Sequence, residues 1–177
     1  MIRLPEGSAP KTHNVTHTIT VDAEIPDEGA EGVLVCLGGD TAGWTLYIRD
    51  DGKLVYHYNW FDMERYEIVS DRAVPAGPIV LRCEFINESQ IPGGPATVSL
   101  LIDDKPVGQG RVEKQVRGRF SLESLDVGVD ALTAVDKSYA NKQPYWFTGT
   151  IKTVRFDFGD SVELTPEERF EMFLQMD

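Results

Sequence analysis

The chain has 177 residues, 41% of them hydrophobic, and a formal net charge of −12 because 29 acidic side chains outnumber 17 basic ones. This length and hydrophobic content fit a single domain with a core of its own. The negative charge argues against a nucleic-acid partner, which would need clustered lysine and arginine. The densest group of cations, at 111–119, has four in nine residues, and a charge run of this kind is more typical of a solvated face than of a binding patch.

Residues 1–16 hold two prolines and few large apolar side chains, which predicts an extended arm or linker from a preceding domain. Alternation of apolar and polar side chains begins at His17 and predicts a half-buried strand that ends before Pro26. The next run, 33–37, is apolar throughout. Such a run indicates a strand that is covered on both faces.

A β-hairpin is predicted at 43–60, where two alternating runs are joined by Asp51 and Gly52. Glycine supplies the positive φ that a tight turn needs, so the two arms should be antiparallel neighbours. The hairpin carries two of the three tryptophans and three of the six tyrosines of the chain. It therefore holds much of the aromatic surface that could bind a ligand or pack in a core.

Further alternating runs follow up to residue 112, separated by short turns, and no helical periodicity interrupts them. Residues 120–143 are irregular, and a last strand is predicted at 145–158. A chain that returns to complete a sheet after a long excursion is typical of Greek-key and jelly-roll topologies. The prediction for 17–158 is therefore an all-β, two-sheet antiparallel β-sandwich of jelly-roll type. Its predicted core contains Ile19, Val21, Leu46, Ile48, Leu81, Phe85, Leu100 and Ile151.

The segment 159–177 is predicted to be a helical tail. Thr165 can cap a helix whose first residue is Pro166, and apolar side chains follow at helical spacing. One short amphipathic helix is therefore expected at 166–175, and it is too short to stand alone.

The N-terminal stretch has no apolar run of signal-peptide length, and no segment approaches the roughly 20 apolar residues of a membrane span. With Met1 as a natural start, we expect a soluble chain that is not exported. Cys36 and Cys83 each lie in an apolar run. Two buried free thiols are favoured over a disulfide, because nothing in the sequence places their strands side by side.

No cluster of histidine, cysteine and carboxylate residues has the spacing of a metal or nucleophilic catalytic site. His13 and His17 are four residues apart, but their stretch is predicted to be extended. We therefore expect no catalytic residue in this chain. An enzyme that uses Asp126, Asp130 or His57 is the less favoured alternative.

Aromatic residues form the first candidate binding site, because flat rings on one face of a sheet can stack on sugars or on another domain. The alternative is that most of them belong to the core. His57, Asn59 and Asp62 could hydrogen-bond sugar hydroxyls, whereas Phe61 and Met63 suit a protein partner. The rings of this candidate are those of Trp44, Tyr56, Tyr58, Trp60 and Trp146.

A second candidate is a calcium site at Asp126 and Asp130, two carboxylates that flank Gly128 in a predicted loop. Few further ligands are visible in the sequence, so aspartates that cap turns are the alternative. No cofactor is required by either candidate.

Several stretches, taken together and in order, resemble the C-terminal domain of large bacterial arylsulfatases. The resemblance extends from about Arg3 to Phe158. Its motifs are RLPEG at 3–7, HTITV at 17–21, GWTLY at 43–47, YNWF at 58–61, ERY at 64–66, GRVE at 110–113, DVG at 126–128 and FTGTI at 147–151.

This resemblance implies a concanavalin A-like or laminin G-like sandwich appended to a catalytic domain that hydrolyses sulfate esters. The family's nucleophile lies in a Cys/Ser-x-Pro-x-Arg motif. Cys36 and Cys83 do not fit it, and the stretch from Ser8 ends in Thr12 where arginine is required. The chain also departs from the family after Gly128 and in a shorter loop at 87–94.

Two non-enzymatic functions follow from these features. The first is an accessory domain that docks on the sulfatase catalytic domain, in the bacterial cytoplasm or periplasm. The alternative is a free-standing glycan-binding module. Both would use the candidate surface formed by Trp44, Tyr56, Tyr58, Asn59, Trp60 and Phe61.

Overall fold

The computed structural model describes residues 3–159, which form an all-β domain of two sheets packed face to face. The predicted all-β sandwich is therefore confirmed. The predicted C-terminal helix at 166–175 lies outside the described residues. Within 3–159, no helix is long and apolar enough to cross a membrane.

The larger sheet contains eight strands. Its main path runs through β1, β10, β3, β4, β5 and β6, and the short strands β11 and β12 attach beside β3. These strands are Leu4–Pro5 (β1), Gly32–Gly38 (β3), Gly43–Ile48 (β4), Lys53–Trp60 (β5), Glu64–Ala73 (β6), Ser124–Val127 (β10), Val129–Asp130 (β11) and Tyr145–Trp146 (β12).

The smaller sheet has five antiparallel strands in the order β13, β2, β7, β8, β9. They are His17–Ile25 (β2), Gly77–Asn87 (β7), Ala96–Ile102 (β8), Lys105–Val112 (β9) and Thr150–Phe158 (β13). The last strand thus pairs with the first long strand, as a jelly-roll topology requires. Two 3-10 helices complete the fold, at Glu6–Ser8 and Lys137–Lys142.

The predicted hairpin at 43–60 is present, with Ile48 opposite Leu54 across the turn. Gly52 has a φ of +78°, and its amide donates to the carbonyl of Arg49 at 2.9 Å. The positive φ is tolerated because glycine lacks a Cβ atom. This turn fixes which side chains of β4 and β5 lie opposite each other.

The main core lies between the two sheets, and every predicted core residue except Ile151 is buried there. Ile151 is partly buried and packs against the same cluster, because β13 is an edge strand of its sheet. Cys36 and Cys83 are buried free thiols, as predicted.

A second apolar cluster covers the outer face of the larger sheet. Residues 130–145, which we name the cap segment, lie over that face and contribute Ala134, Val135, Tyr139 and Tyr145. The sheet contributes Val33, Cys36, Tyr47 and Val55. All seven residues of β3 are buried. The prediction of a strand covered on both faces is therefore confirmed, and the irregular stretch of the sequence provides the cover.

The N-terminal stretch is not the extended arm that the sequence predicted. Residues 3–16 are attached to the sandwich and do not extend from it as an arm: Leu4 pairs with Leu125, and Thr12 accepts a hydrogen bond from the indole of Trp44 at 3.0 Å. Glu6 is buried and accepts from the amide of Phe120 at 3.0 Å. Buried polar groups of this kind need partners, and those partners fix the stretch in place.

Truncation of Leu81 to Ala should lower the free energy of unfolding by roughly 2–5 kcal/mol, because the lost transfer energy and the cavity cost add. Leu81 is 0% exposed. Ile86, on the same strand and 48% exposed, is the matched control and should tolerate Ala with little change. Urea denaturation of both variants measures the difference. Equal losses in the two variants would contradict this packing.

Candidate functional site

The structure places three of the predicted stacking rings in the core. Trp44, Tyr56 and Tyr58 are at most 2% exposed and belong to the cluster between the sheets. Side chains two residues apart on a strand share a face. Trp44 therefore lies on the inner face with Leu46 on β4, and Tyr56 lies on the inner face with Tyr58 on β5. A ring buried between sheets cannot stack on a ligand from solvent. These three residues are therefore corrected from binding candidates to core residues.

Asn59 is also a structural residue. It is 0% exposed, its amide donates to the carbonyls of Gly39 and Asp40, and its carbonyl oxygen accepts from the amide of Asp62 at 2.9 Å. These bonds join two turns at one end of the larger sheet. No polar atom of Asn59 is left for a sugar hydroxyl.

Trp60 and Phe61 lie at the edge of the predicted surface. Trp60 is half-buried, and the ammonium of Lys114 lies 4.8 Å from its ring centre. Phe61 is 44% exposed and Met63 is 67% exposed. Phe61 and Asp62 both have positive φ values, +52° and +57°, so these apolar side chains project from a tight turn. Phe61 and Met63 form an exposed apolar patch at this turn.

A row of polar side chains crosses the outer face of the larger sheet beneath the cap segment. Each residue pairs with the next on the adjacent strand, and directly paired residues share a face. The row consists of Asp126, Cys36, Thr45, His57 and Glu67. The sequence analysis named His57 and Asp126 separately, and the strand register brings them into one row.

His57 lies at the centre of a charged network. Its Nδ1 is 3.2 Å from Asp136 Oδ2, and its Nε2 is 3.3 Å from Arg65 Nη1. Tyr47 donates its hydroxyl to the same Asp136 oxygen at 2.9 Å. Arg65 also donates to the carbonyl of Val135 at 2.7 Å. Asp136 and Val135 belong to the cap segment, so this network joins the cap to the sheet.

Burial lowers the pKa of His57 to about 4, with Asp136 opposing the shift and Arg65 adding to it. The imidazole is therefore neutral near pH 7. Because Arg65 can only donate, Nε2 acts as the acceptor and the ring proton resides on Nδ1. Partial burial, aided by the negative charge of Asp136, raises the pKa of Glu67.

Asp126 and Asp130 do not form a common ligand set in this structure. Asp126 accepts from the backbone amide of Arg3. Asp130 accepts from the amide of Val135 at 3.0 Å and from the hydroxyl of Tyr139 at 2.8 Å. Both carboxylates are buried. Asp130 therefore accepts from backbone of its own loop, as a turn-capping aspartate does, whereas Asp126 binds the distant N-terminal stretch.

Within residues 3–159, one group of three potential metal ligands has its ligand atoms close together, and it consists of His57, Glu67 and Asp136. Sequence analysis missed Glu67 and Asp136 as site residues. The alternation of β6 was a signal for Glu67, which falls on the same face as Arg65. No sequence signal could place Asp136, because its position depends on the path of the cap segment.

An open groove of about 370 Å³ lies on one side of the sandwich, between the end of β10 and the strand β13. The Phe147 ring, two glycines and polar side chains line it. The lining residues are Val127, Gly128, Phe147, Gly149, Ile151, Lys152, Thr153 and Val154.

Trp146 directly precedes the lining residue Phe147 in the chain and is 56% exposed. It pairs with Val129 and Val33, and the next residue, Phe147, donates its amide to the Gly128 carbonyl at 3.0 Å. Gly32 has a φ of +111°, and a Cβ there would lie 2.0 Å from the Trp146 carbonyl oxygen. The backbone beneath this exposed ring is therefore tightly fixed. Of the five predicted rings, Trp146 is the one most open to solvent in the described part of the chain.

No protein-family model matches the chain, and no curated protein matches it. Solved structures do match it. The CBM40 domain of the Ruminococcus gnavus IT-sialidase, bound to α2,3-sialyllactose, is 13% identical with a TM-score of 0.55, covering 85% of this chain and 80% of that one. Domains LG4-5 of the mouse laminin α1 chain are 16% identical with a TM-score of 0.57, covering 85% and 39%.

These similarities establish the fold as a sandwich like those of CBM40 and laminin G domains. The laminin G-like part of the predicted fold is thereby confirmed. Neither of the two matched structures described above is a sulfatase domain. The arylsulfatase resemblance therefore stays a prediction from the sequence motifs.

The buried carboxyl group of Asp130, in the cap segment, should make the free energy of unfolding depend on pH. Burial raises its pKa to about 6, above the ordinary value near 3.9, so the folded state holds this proton more tightly than the unfolded state. Wild type should therefore lose stability relative to Asp130→Asn as the pH rises from 4 to 7, by up to about 3 kcal/mol. Urea denaturation at both pH values measures it. A constant difference between the two proteins would contradict burial of this carboxyl group.

Proposed function

We propose that the chain is a carbohydrate-binding β-sandwich module without catalytic activity of its own, and that sugar binds in the open groove beside Trp146. The observation that supports this most strongly is the groove lined by Phe147, with the exposed ring of Trp146 at the preceding position of the chain. The fold shared with CBM40, whose solved structures hold sialyllactose, supports the same proposal.

The groove has the mixture of groups that a sugar requires. An aromatic face can pack on the apolar face of a pyranose ring. Phe147 lines the groove and supplies such a ring, and the preceding residue, Trp146, is exposed. Thr153 and Lys152 are exposed and supply hydroxyl and ammonium groups for hydrogen bonds. Gly128 and Gly149 leave backbone accessible where other residues would carry side chains. Concave sites with a few polar groups are the usual form of small-molecule sites.

The sign of the charge favours neutral glycans. The ammonium of Lys152 lies 3.1 Å from the Glu24 carboxylate, so its charge is already partly balanced. The chain as a whole is strongly acidic, and a net negative protein repels an anionic ligand. Neutral sugars should therefore bind at least as well as their sialylated counterparts.

Trp146→Ala should weaken glycan binding at least about tenfold, since loss of a stacking ring costs more than about 1.4 kcal/mol at a binding hot spot. Lactose, α2,3-sialyllactose and α2,6-sialyllactose are suitable probes, followed by NMR chemical-shift titration. Phe61→Ala, which removes another exposed ring far from the groove, is the matched control and should bind as wild type does. Binding that is equal in both variants, or absent for all three sugars, would refute the proposal.

A second candidate function is docking on a sulfatase catalytic domain, and the protruding Phe61 and Met63 patch favours it. Phe61 adopts a left-handed conformation that costs an ordinary residue roughly 1–2 kcal/mol, which indicates that its exposed position has a use. If docking is the function, Phe61→Asn should weaken association with a separately supplied sulfatase catalytic domain and leave lactose binding unchanged.

The purified chain should not hydrolyse an aryl sulfate under either candidate, because its sequence lacks the Cys/Ser-x-Pro-x-Arg motif that supplies the nucleophile. A chromogenic aryl sulfate assay measures this directly. Turnover that persists through repeated purification and is abolished by a substitution in the chain would show that a catalytic site was missed.

A further inference from the structure

The network around His57 combines one imidazole and two carboxylates at one point of the outer face. The ligand atoms of His57, Asp136 and Glu67 all lie within 4.8 Å of one another. We propose that these three residues bind a divalent transition-metal ion of the zinc class. The proposal is independent of sugar binding, because the groove and this cluster share no residue.

The spacing fits a tetrahedral ion. Zinc binds nitrogen and oxygen ligands at about 2.0–2.2 Å, which places neighbouring ligand atoms about 3.3 Å apart. His57 Nδ1 and Asp136 Oδ2 are 3.2 Å apart, so one edge of the tetrahedron is already present. Glu67 is the outermost ligand, with a side chain 41% exposed. It can reach the ion by side-chain rotation and leave the fourth position open to water.

The state of His57 is a second, independent sign of a ligand. Its side chain is 6% exposed, and Nδ1 forms no hydrogen bond although Asp136 Oδ2 lies 3.2 Å away. An unpaired buried polar atom is costly, and a bound ion would remove that cost. The Tyr47 hydroxyl that donates to Asp136 would orient this carboxylate, as outer hydrogen bonds do in metal sites.

Two arginines set the strength of binding. Arg65 faces His57 Nε2 at 3.3 Å, and Arg49 lies 3.7 Å from Glu67. An ion on Nδ1 requires the ring proton on Nε2, so Arg65 loses Nε2 as an acceptor and keeps its bonds to Val135 and Asp62. Both positive charges oppose the ion, so the affinity should be modest. The imidazole favours zinc over calcium and magnesium, which prefer oxygen ligands alone.

Isothermal titration with Zn²⁺ and visible absorption with Co²⁺ test the site in the full chain. Wild type should bind one ion, and Co²⁺ should give the intense bands of a four-coordinate centre. Glu67→Gln should weaken binding at least about tenfold, and as an exposed substitution it should leave the fold intact. Glu64→Gln, on the same strand, is the matched control and should bind as wild type does.

His13→Gln tests the other place where a histidine meets a carboxylate, since His13 Nε2 lies 2.8 Å from Glu6. It should leave Zn²⁺ binding unchanged. The proposal is overturned if wild type shows no saturable binding at millimolar Zn²⁺, or if Glu67→Gln binds Zn²⁺ as well as Glu64→Gln does. It is also overturned if His13→Gln abolishes Zn²⁺ binding.

Discussion

Burial of the larger sheet on both faces is the constraint on which the rest of this structure depends. Strands β3 and β4 are buried along their whole length, because the smaller sheet covers one face and the cap segment covers the other. A sheet with two covered faces gains apolar burial on each. Buried polar groups under the cap need partners, and their contacts form the networks around His57 and Asp130, although His57 Nδ1 is left without a hydrogen bond.

The cap segment is held by polar contacts of Asp130 and Asp136 and by apolar contacts of Val135 and Tyr139. Asp130 binds Val135 and Tyr139 within the segment, and Asp136 contacts Tyr47 and His57 of the sheet. Val135 and Tyr139 pack on the second apolar cluster. Each group therefore has a structural role, and the His57 network has in addition the geometry of a metal site. A site supported by packed side chains is better organised than one on a free loop.

The two sides of the sandwich differ, and this difference explains the position of the groove. On one side β6 and β9 approach so closely that a Cβ at Gly108 would lie 2.7 Å from the Val69 carbonyl oxygen. On the other side β13 is an edge strand, and its inner side chains Val154 and Phe156 are only partly buried. The groove lies on that open side. Trp146, on β12 beside β11 and β3, directly precedes the lining residue Phe147.

Much of the fold was predictable from the sequence, because side-chain alternation depends on neighbouring residues alone. It predicted the 43–60 hairpin and the double coverage of 33–37. Alternation also places Trp44 on the same face as the predicted core residues Leu46 and Ile48. The burial of Tyr47 on the opposite face was not predictable, because the cap segment covers that face. Contacts of the cap segment were also beyond prediction, since Asp136 and His57 are far apart in the chain and meet only through the path of residues 130–145.

Native-state amide hydrogen exchange followed by NMR tests most directly whether the cap segment is an integral part of the domain. The amides of Val135 and Ser138 donate to Asp130 and Asp136, so both should exchange slowly at neutral pH, with protection approaching that of the buried strand β3. Amides that open with the whole domain show free energies near the global value, whereas those of loosely attached segments open near zero. Rapid exchange at Val135 and Ser138, with β3 still protected, would show that the cap detaches and would contradict this account.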